Sequence, residues 1–506
     1  MSLPRLPSRP LAVLALAVCL VGGVSSAPVV ATTTTPVVSA PPVSPAEAEE
    51  ALTTAQDVLD GDAATPGRDA TLALRDLSLA LPVLEGSDRR AAKALLARPA
   101  ATQQTCTAAL CVHYDPAAVV PGYPELVLGT MQDVHDDYLA AGYRAPKSDG
   151  TAGGDGRLDV YLEDTGADHV YGYCVPTGAE PTDGWDMAAY CVLDDDFSTE
   201  QFSDNTPLEN LQVTVAHEYF HAVQFGYDVG EDQWLLEATA TWAEDELYPD
   251  VDDNTQYLDR GPLRRPSLSL DTFEDNDANQ YGAWIFFRYL SEKVATAAQG
   301  SLPTIVREIW ERADGRAGAP DDDSMLAVSN VLATHGTSLR ATYSRFADAN
   351  RRPGTTYAEG TAQGYPVANP ARTIALRTTK RSSGTITRTV DHLASSTVRF
   401  TPASNMTSSR WRLKIKVDLD SRSRAAALVS VTARSGRVTT TSVTLDAKAQ
   451  GAVSVPFEVD KVSRVELTTT NASSRYTCGS GTTFACQGTP KDDNKAYVMS
   501  GVAYKR

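Results

Sequence analysis

The hydrophobic pattern changes character several times along the chain. Residues 11–21 are a continuous apolar run, too short to span a bilayer. Arg5 and Arg9 precede it, and small residues suited to cleavage follow at Ser26-Ala27 and Val30-Ala31. That layout predicts an export signal over residues 1–31, cut after Ala31 because Pro28 sits badly behind Ala27. Residues 32–43, TTTTPVVSAPPV, hold nothing to bury and read as a linker. Ser44 then caps a helix with Pro45 in its first turn, and helical patterns at 69–81 and 88–97 stop at Pro82 and before Pro99. This N-terminal helical region, up to residue 100, is equally a pro-segment or a cap on the next domain. Over residues 101–365 the periods are mixed. Strand patterns at 111–114, 158–162, 170–175 and 188–193 share the region with helical ones at 123–143, 281–293, 301–313, 325–333 and 337–350. Beyond residue 371 the period is two throughout, in stretches such as RWRLKIKVDLD and RVELTTT separated by turn residues, which predicts an all-β sandwich over 371–506. The whole is an α+β chain.

Residues 213–244, VTVAHEYFHAVQFGYDVGEDQWLLEATATWAE, carry the chemistry. His217 and His221 stand four apart, so on a helix they share a face and can reach one metal ion. Glu218 points about 100° further round, where it can act as a general base instead of a ligand. A zinc site of this kind needs a third protein ligand. Glu237 opens an Ala-rich helical run, EATATWAEDEL, and the glycines and acids of residues 225–233 predict a loop that folds this helix back on the first. Glu244 and Thr241, on the same face as Glu237, are candidates to orient a ligand. A metzincin places a glycine and a third histidine three and six residues after the second histidine. Gln224 and Tyr227 stand there, so that pattern is excluded and a carboxylate ligand is expected.

HEYFHAVQFGYD followed by WLLEATATWAED resembles a family of secreted bacterial metalloproteases and, more distantly, the aminopeptidase N and leukotriene hydrolase group of gluzincins. The resemblance implies a zincin-like domain, with a small mixed sheet set over the active-site helix and a helical lobe beyond the metal. It implies zinc held by His217, His221 and Glu237, with Glu218 as general base. In that group the zinc glutamate lies in WLNEGFASYxE, against Leu-Glu-Ala around Glu237 here. Tyr281, which opens YGAWIFFRYL, is similar to the group's oxyanion tyrosine, although the motif is one residue shorter and lacks its Lys-Gly pair. No counterpart of the exopeptidase motif GxMEN is found, which points to endopeptidase action on a protein or peptide substrate.

Charge is uneven. Residues 371–506 hold 22 Lys and Arg against 9 Asp and Glu, and the residues before them 23 against 55. The break suggests separate domains, and the basic, Thr/Ser-rich sandwich is expected to meet either an acidic wall polymer or the acidic domain ahead of it. Nucleic acid is not expected, because no recognition motif accompanies the charge. Beyond Cys19, which lacks a small residue before it for lipidation, six cysteines fall into close pairs, 106 with 111, 174 with 191 and 478 with 486. In an exported chain these predict three local disulfides. A structural calcium ion is the functional alternative to plain acidic loops at Asp194-Asp195-Asp196 and in the Gly/Asp-rich turn at 148–158. His113 and His335 lie outside any metal spacing and read as ordinary residues. No later segment is apolar enough to anchor the chain, so an extracellular protein is expected. The resulting expectation is a secreted zinc peptidase. Its rivals are a zinc hydrolase of non-peptide substrates and a binding protein with structural zinc.

Overall fold

The computed structural model describes residues 43–60, 70–177, 184–274 and 277–506, so the expected export signal and linker residues 32–42 lie outside the described residues. Three helices come first, α1 (Pro45–Leu59), α2 (Thr71–Ala80) and α3 (Gly86–Leu95). Ser44 and Glu47 close a capping box at the start of α1, ahead of Pro45. Then come β1 (Gln103–Cys106), β2 (Leu110–Tyr114), α4 (Tyr123–Ala140), β3 (Leu158–Glu163), β4 (Gly172–Thr177) and β5 (Ala188–Asp194). These strands form one mixed sheet in the order β1-β2-β3-β5-β4. β2, β3 and β5 run parallel, and β1 and β4 are antiparallel edges.

Two long helices, α5 (Pro207–Asp228) and α6 (Gln233–Leu247), follow the sheet. The helical part continues through the short α7 (Asn279–Gly282) and α8 (Trp284–Lys293), the small ribbon of β6 (Ala298–Gln299) and β7 (Leu302–Pro303), then α9 (Thr304–Arg312), α10 (Ser324–Thr334), α11 (Leu339–Ala349) and α12 (Pro353–Thr356).

The sheet explains why its strands read as unbroken apolar runs: both faces are covered. Along β5, Ala189, Cys191 and Leu193 turn into the core shared with α4 and α5. Tyr190 and Val192 turn the other way, with Tyr161 and Val175, against Leu52, Leu74 and Leu77 of the N-terminal helices. The N-terminal helical region is therefore a layer on the outer face of the sheet.

One local expectation fails. The loop expected at 225–233 shrinks to four residues, because α5 runs on through Gly226 to Asp228 before α6 starts at Gln233. A glycine inside a helix costs about 1 kcal/mol relative to alanine. Here Phe225 and Tyr227 on either side are buried in the main core, and that packing outweighs the propensity.

The remaining chain supplies β8 (Arg372–Leu376), β9 (Ile386–Val390), β10 (Ala394–Pro402), β11 (Trp411–Asp418), β12 (Ala425–Ala433), β13 (Val438–Ser442), β14 (Gln450–Pro456), β15 (Val462–Asn471), β16 (Tyr476–Thr477), β17 (Thr489–Pro490) and β18 (Lys495–Lys505). Two sheets, β13-β12-β15-β10-β8 and β14-β11-β18-β9, enclose a second core. In β11, Trp411, Leu413, Ile415 and Val417 are buried, while Lys414 and Lys416 between them are exposed, which is the origin of the basic surface. The Thr-rich strand β15 has both faces buried. Just after α11, Arg351 meets Glu466 of β15 at 3.1 Å, and Asp348 accepts from Ser430 Oγ of β12 at 2.6 Å. Part of the Thr/Ser-rich face expected at the surface is thus packed on the helical part.

The disulfides are Cys106–Cys111, Cys174–Cys191 and Cys478–Cys486, the three local pairs expected. The last closes the loop between β15 and β18, which reaches back to the start of α6. Its Cys486 and Gln487 amides donate to Asp232 at 2.7 and 3.0 Å. Among the described residues no helix is long and apolar enough to cross a membrane.

Candidate metal centre

α5 begins where Thr206 and Glu209 cap each other in a capping box and Pro207 takes the first helical position. Past its first turn the helix is buried on every side. Only a fully enclosed helix can carry ionisable groups in a dry, fixed geometry, and this one presents His217 and His221 towards α6. There Glu237 Oε2 lies 3.3 Å from His217 Nε2 and 3.9 Å from His221 Nε2. Four ligands at zinc–nitrogen and zinc–oxygen bond lengths in a tetrahedron stand roughly 3.4 Å from one another. The three ligand atoms, all within 4.8 Å of each other and all on buried residues, match that spacing. Two imidazoles and a carboxylate are also the donor types zinc prefers, so the residues fit the ion.

The ring orientations are set from behind. His217 Nδ1 donates to Glu244 Oε1 at 2.6 Å, one helical face along from Glu237. His221 Nδ1 donates to Gln224 Oε1 at 2.7 Å. Gln224 in turn donates its Nε2 to the Leu236 carbonyl and to Thr239 Oγ1, both at 3.0 Å, which fixes which end of its amide faces the histidine. Each acceptor oxygen keeps the ring proton on Nδ1 and turns Nε2 towards Glu237. Of the two residues expected to orient a ligand, Glu244 does so. Thr241 Oγ1 is buried and makes no hydrogen bond among the described residues.

Glu218 does not join the three ligand atoms. It lines a cleft of about 290 Å³ with His217, Glu244, Thr214, Tyr171, Tyr257 and Tyr281. Tyr281 sits in the short turn of α7 instead of opening α8, and its ring centroid is 6.2 Å from that of His217. It stacks on Tyr257 at 5.0 Å. That pairing depends on two glycines whose backbones touch: a Cβ on Gly282 would lie 2.5 Å from the Tyr257 carbonyl oxygen and 2.6 Å from the Gly261 nitrogen. α8 is tied to α6 by Arg288, which reaches Asp245 at 2.9 Å and Glu246 at 3.1 Å. Burial pushes the Asp245 carboxyl well above the ordinary range, and Arg288 opposes that shift.

No protein-family model and no curated protein matches this chain. The site is therefore read from its own geometry. His217, Glu218, His221, Glu237 and Tyr281 all lie around one cleft or its metal-ligand cluster. Gln224, Tyr171, Tyr257 and Thr71 join them without having been expected. Gln224 had a local signal, three residues beyond His221 on the same helix. Thr71 had none, since it stands 147 residues before Glu218, whose Oε2 accepts its hydroxyl at 3.0 Å.

The acidic loops resolve differently. Asp194 accepts amides from Gly166, Asp196 and Phe197, which makes it a turn-former, and Asp164 and Asp195 lie close to it. In the Gly/Asp-rich turn the guanidinium of Arg98 bridges Asp149 and Asp159. His113 joins this group through Asp159 at 2.7 Å, and His335 pairs with Glu308 at 2.6 Å.

Proposed function

We propose that this chain is a secreted zinc-dependent endopeptidase. The reading rests on one observation, the 3.3 and 3.9 Å spacing of Glu237 Oε2 from the two histidine Nε2 atoms, which suits a single four-coordinate zinc. A zinc ion held there supplies Lewis acidity towards a substrate carbonyl and draws the pKa of a water towards neutrality. Glu218 takes the proton from the attacking water and hands it to the leaving amine. The Tyr281 hydroxyl donates to the oxyanion of the tetrahedral state. Glu244 and Gln224 hold the two imidazoles in the tautomer that ligation requires. The edge strand β4, beside the cleft, offers an extended polypeptide a partner to pair with. Three disulfides suit an oxidising compartment outside the cytosol.

The test combines metal content with turnover. The purified chain is expected to bind one zinc and to digest an unfolded protein such as casein. A chelator should abolish this activity, and so should Glu218→Gln, in which zinc stays bound. Zinc retained without turnover of any peptide would instead favour a hydrolase of other bonds or a binding protein with structural zinc.

A further inference from the structure

The outer edge of β4 is not bare. Cys174 stands opposite Cys191 with a Cα–Cα distance of 4.0 Å, the close spacing of a pair that exchanges no hydrogen bonds, so its amide and carbonyl face away from β5. The Cys174 amide donates to Thr71 Oγ1 at 2.8 Å, and the same hydroxyl donates to Glu218 Oε2 at 3.0 Å. Pro176, two residues on and turned the same way, has its carbonyl met by Ser78 Oγ at 3.4 Å. Thr71 and Ser78 are both on α2, which therefore runs along the strand and supplies hydroxyls where an added strand would supply backbone groups. The helix is also held at the far side of the cleft. The buried Arg75 donates to the Glu231 carbonyl at 2.8 Å, and Asp76 accepts from Gln233 at 2.8 Å, at the start of α6.

We infer that α2 occupies the place of the substrate backbone, so that the N-terminal helical layer holds the centre closed until it is displaced. The inference rests on the peptidase reading and adds to it a substrate class, an extended polypeptide that pairs with β4, and a resident competitor for that edge. Thr71 is the pivot, because one hydroxyl engages both the strand edge and the general base. The sheet face under the layer carries Tyr161, Tyr173 and Tyr190. Such rings combine an apolar body with a polar tip and suit a face that is sometimes uncovered.

The test uses the zinc-loaded full chain with a recognition site for a specific protease placed at Ala100-Ala101, an exposed link between α3 and β1. Turnover of casein and hydrogen exchange of the β4 amides are followed before and after the cut. After the cut, kcat/KM is expected to rise at least about tenfold and exchange at Cys174 to accelerate, with zinc content unchanged. The uncut Thr71→Val chain should show a smaller rise, about two- to fivefold, because the helix still covers the edge. Equal turnover before and after the cut overturns the inference and leaves the peptidase reading standing. Faster exchange with zinc bound but no turnover in either form removes the peptidase reading, and the inference with it. Loss of zinc or cooperative unfolding on cutting makes the layer part of the fold and also overturns it.

Discussion

Gln224→Leu isolates the second layer of the metal site. The side chain is fully buried and makes three hydrogen bonds, accepting from His221 Nδ1 at 2.7 Å and donating to the Leu236 carbonyl and Thr239 Oγ1 at 3.0 Å. Leucine has a similar volume, so the cavity term is small and the lost polar contacts dominate. Thr239 is not stranded, because it still donates to the Leu235 carbonyl at 2.7 Å and accepts from Trp310 Nε1 at 3.2 Å. The Leu236 carbonyl remains inside a helix. The group left without a partner is the His221 Nδ1–H, whose burial costs about 1 to 3 kcal/mol. The ring can relieve that cost only by turning, which takes Nε2 away from Glu237. Losses on removing such outer partners run about 10- to 100-fold in metal affinity. Competition against a fluorescent zinc chelator, with thermal unfolding of the metal-free protein alongside, separates the two costs. Zinc affinity within about twofold of the parent, in a folded variant, would refute the argument that Gln224 sets the ring.

Other outcomes follow from the same geometry. Tyr281→Phe should lower kcat by about 10- to 1000-fold while leaving zinc content and fold unchanged. Gly282→Ala should do the same less severely and at a cost of about 1 to 3 kcal/mol in stability, since its Cβ would press on the Tyr257 carbonyl and move both tyrosines. Both are read by steady-state kinetics and thermal melts. His392 is buried beside Asp271 at 2.9 Å and Asp493 at 2.5 Å. Burial works against its charge, but the two carboxylates outweigh it and push the imidazole up to about 9. Its folded value lies above the unfolded one of about 6.5, so the stabilisation is complete below about pH 6.5 and is lost as pH rises through about 9. That range corresponds to roughly 3 kcal/mol. His392→Gln should therefore be least stable relative to the parent at pH 6, with the gap closing towards pH 9.5 in urea titrations. A gap that does not change with pH would show that the imidazole's charge plays no part.

Much of the local structure was legible because it depends on neighbours in sequence. The i, i+4 spacing of His217 and His221 puts two imidazoles on one helical face wherever that helix lies. The period-two stretches beyond residue 371 become strands because alternate positions have one core to face. Close cysteine pairs need only a hairpin to meet. The misreadings share the opposite cause. Gly226 signals a break by propensity, yet burial of its neighbours carries the helix past it. β8 and β1 went unassigned because short strands with exposed positions have no pattern of their own.

The chain by itself determined which residues can do chemistry and which of them share a face. Tertiary structure decided the rest: that Glu237 comes within 3.9 Å of both histidines, that Glu244 and not Thr241 holds His217, and that Thr71 lies against Glu218. Periodicity is a property of a few successive residues. A contact between residues 147 apart is fixed only when separate elements bury their faces together, and no local pattern records which hydroxyl or carboxylate that packing brings to a given atom.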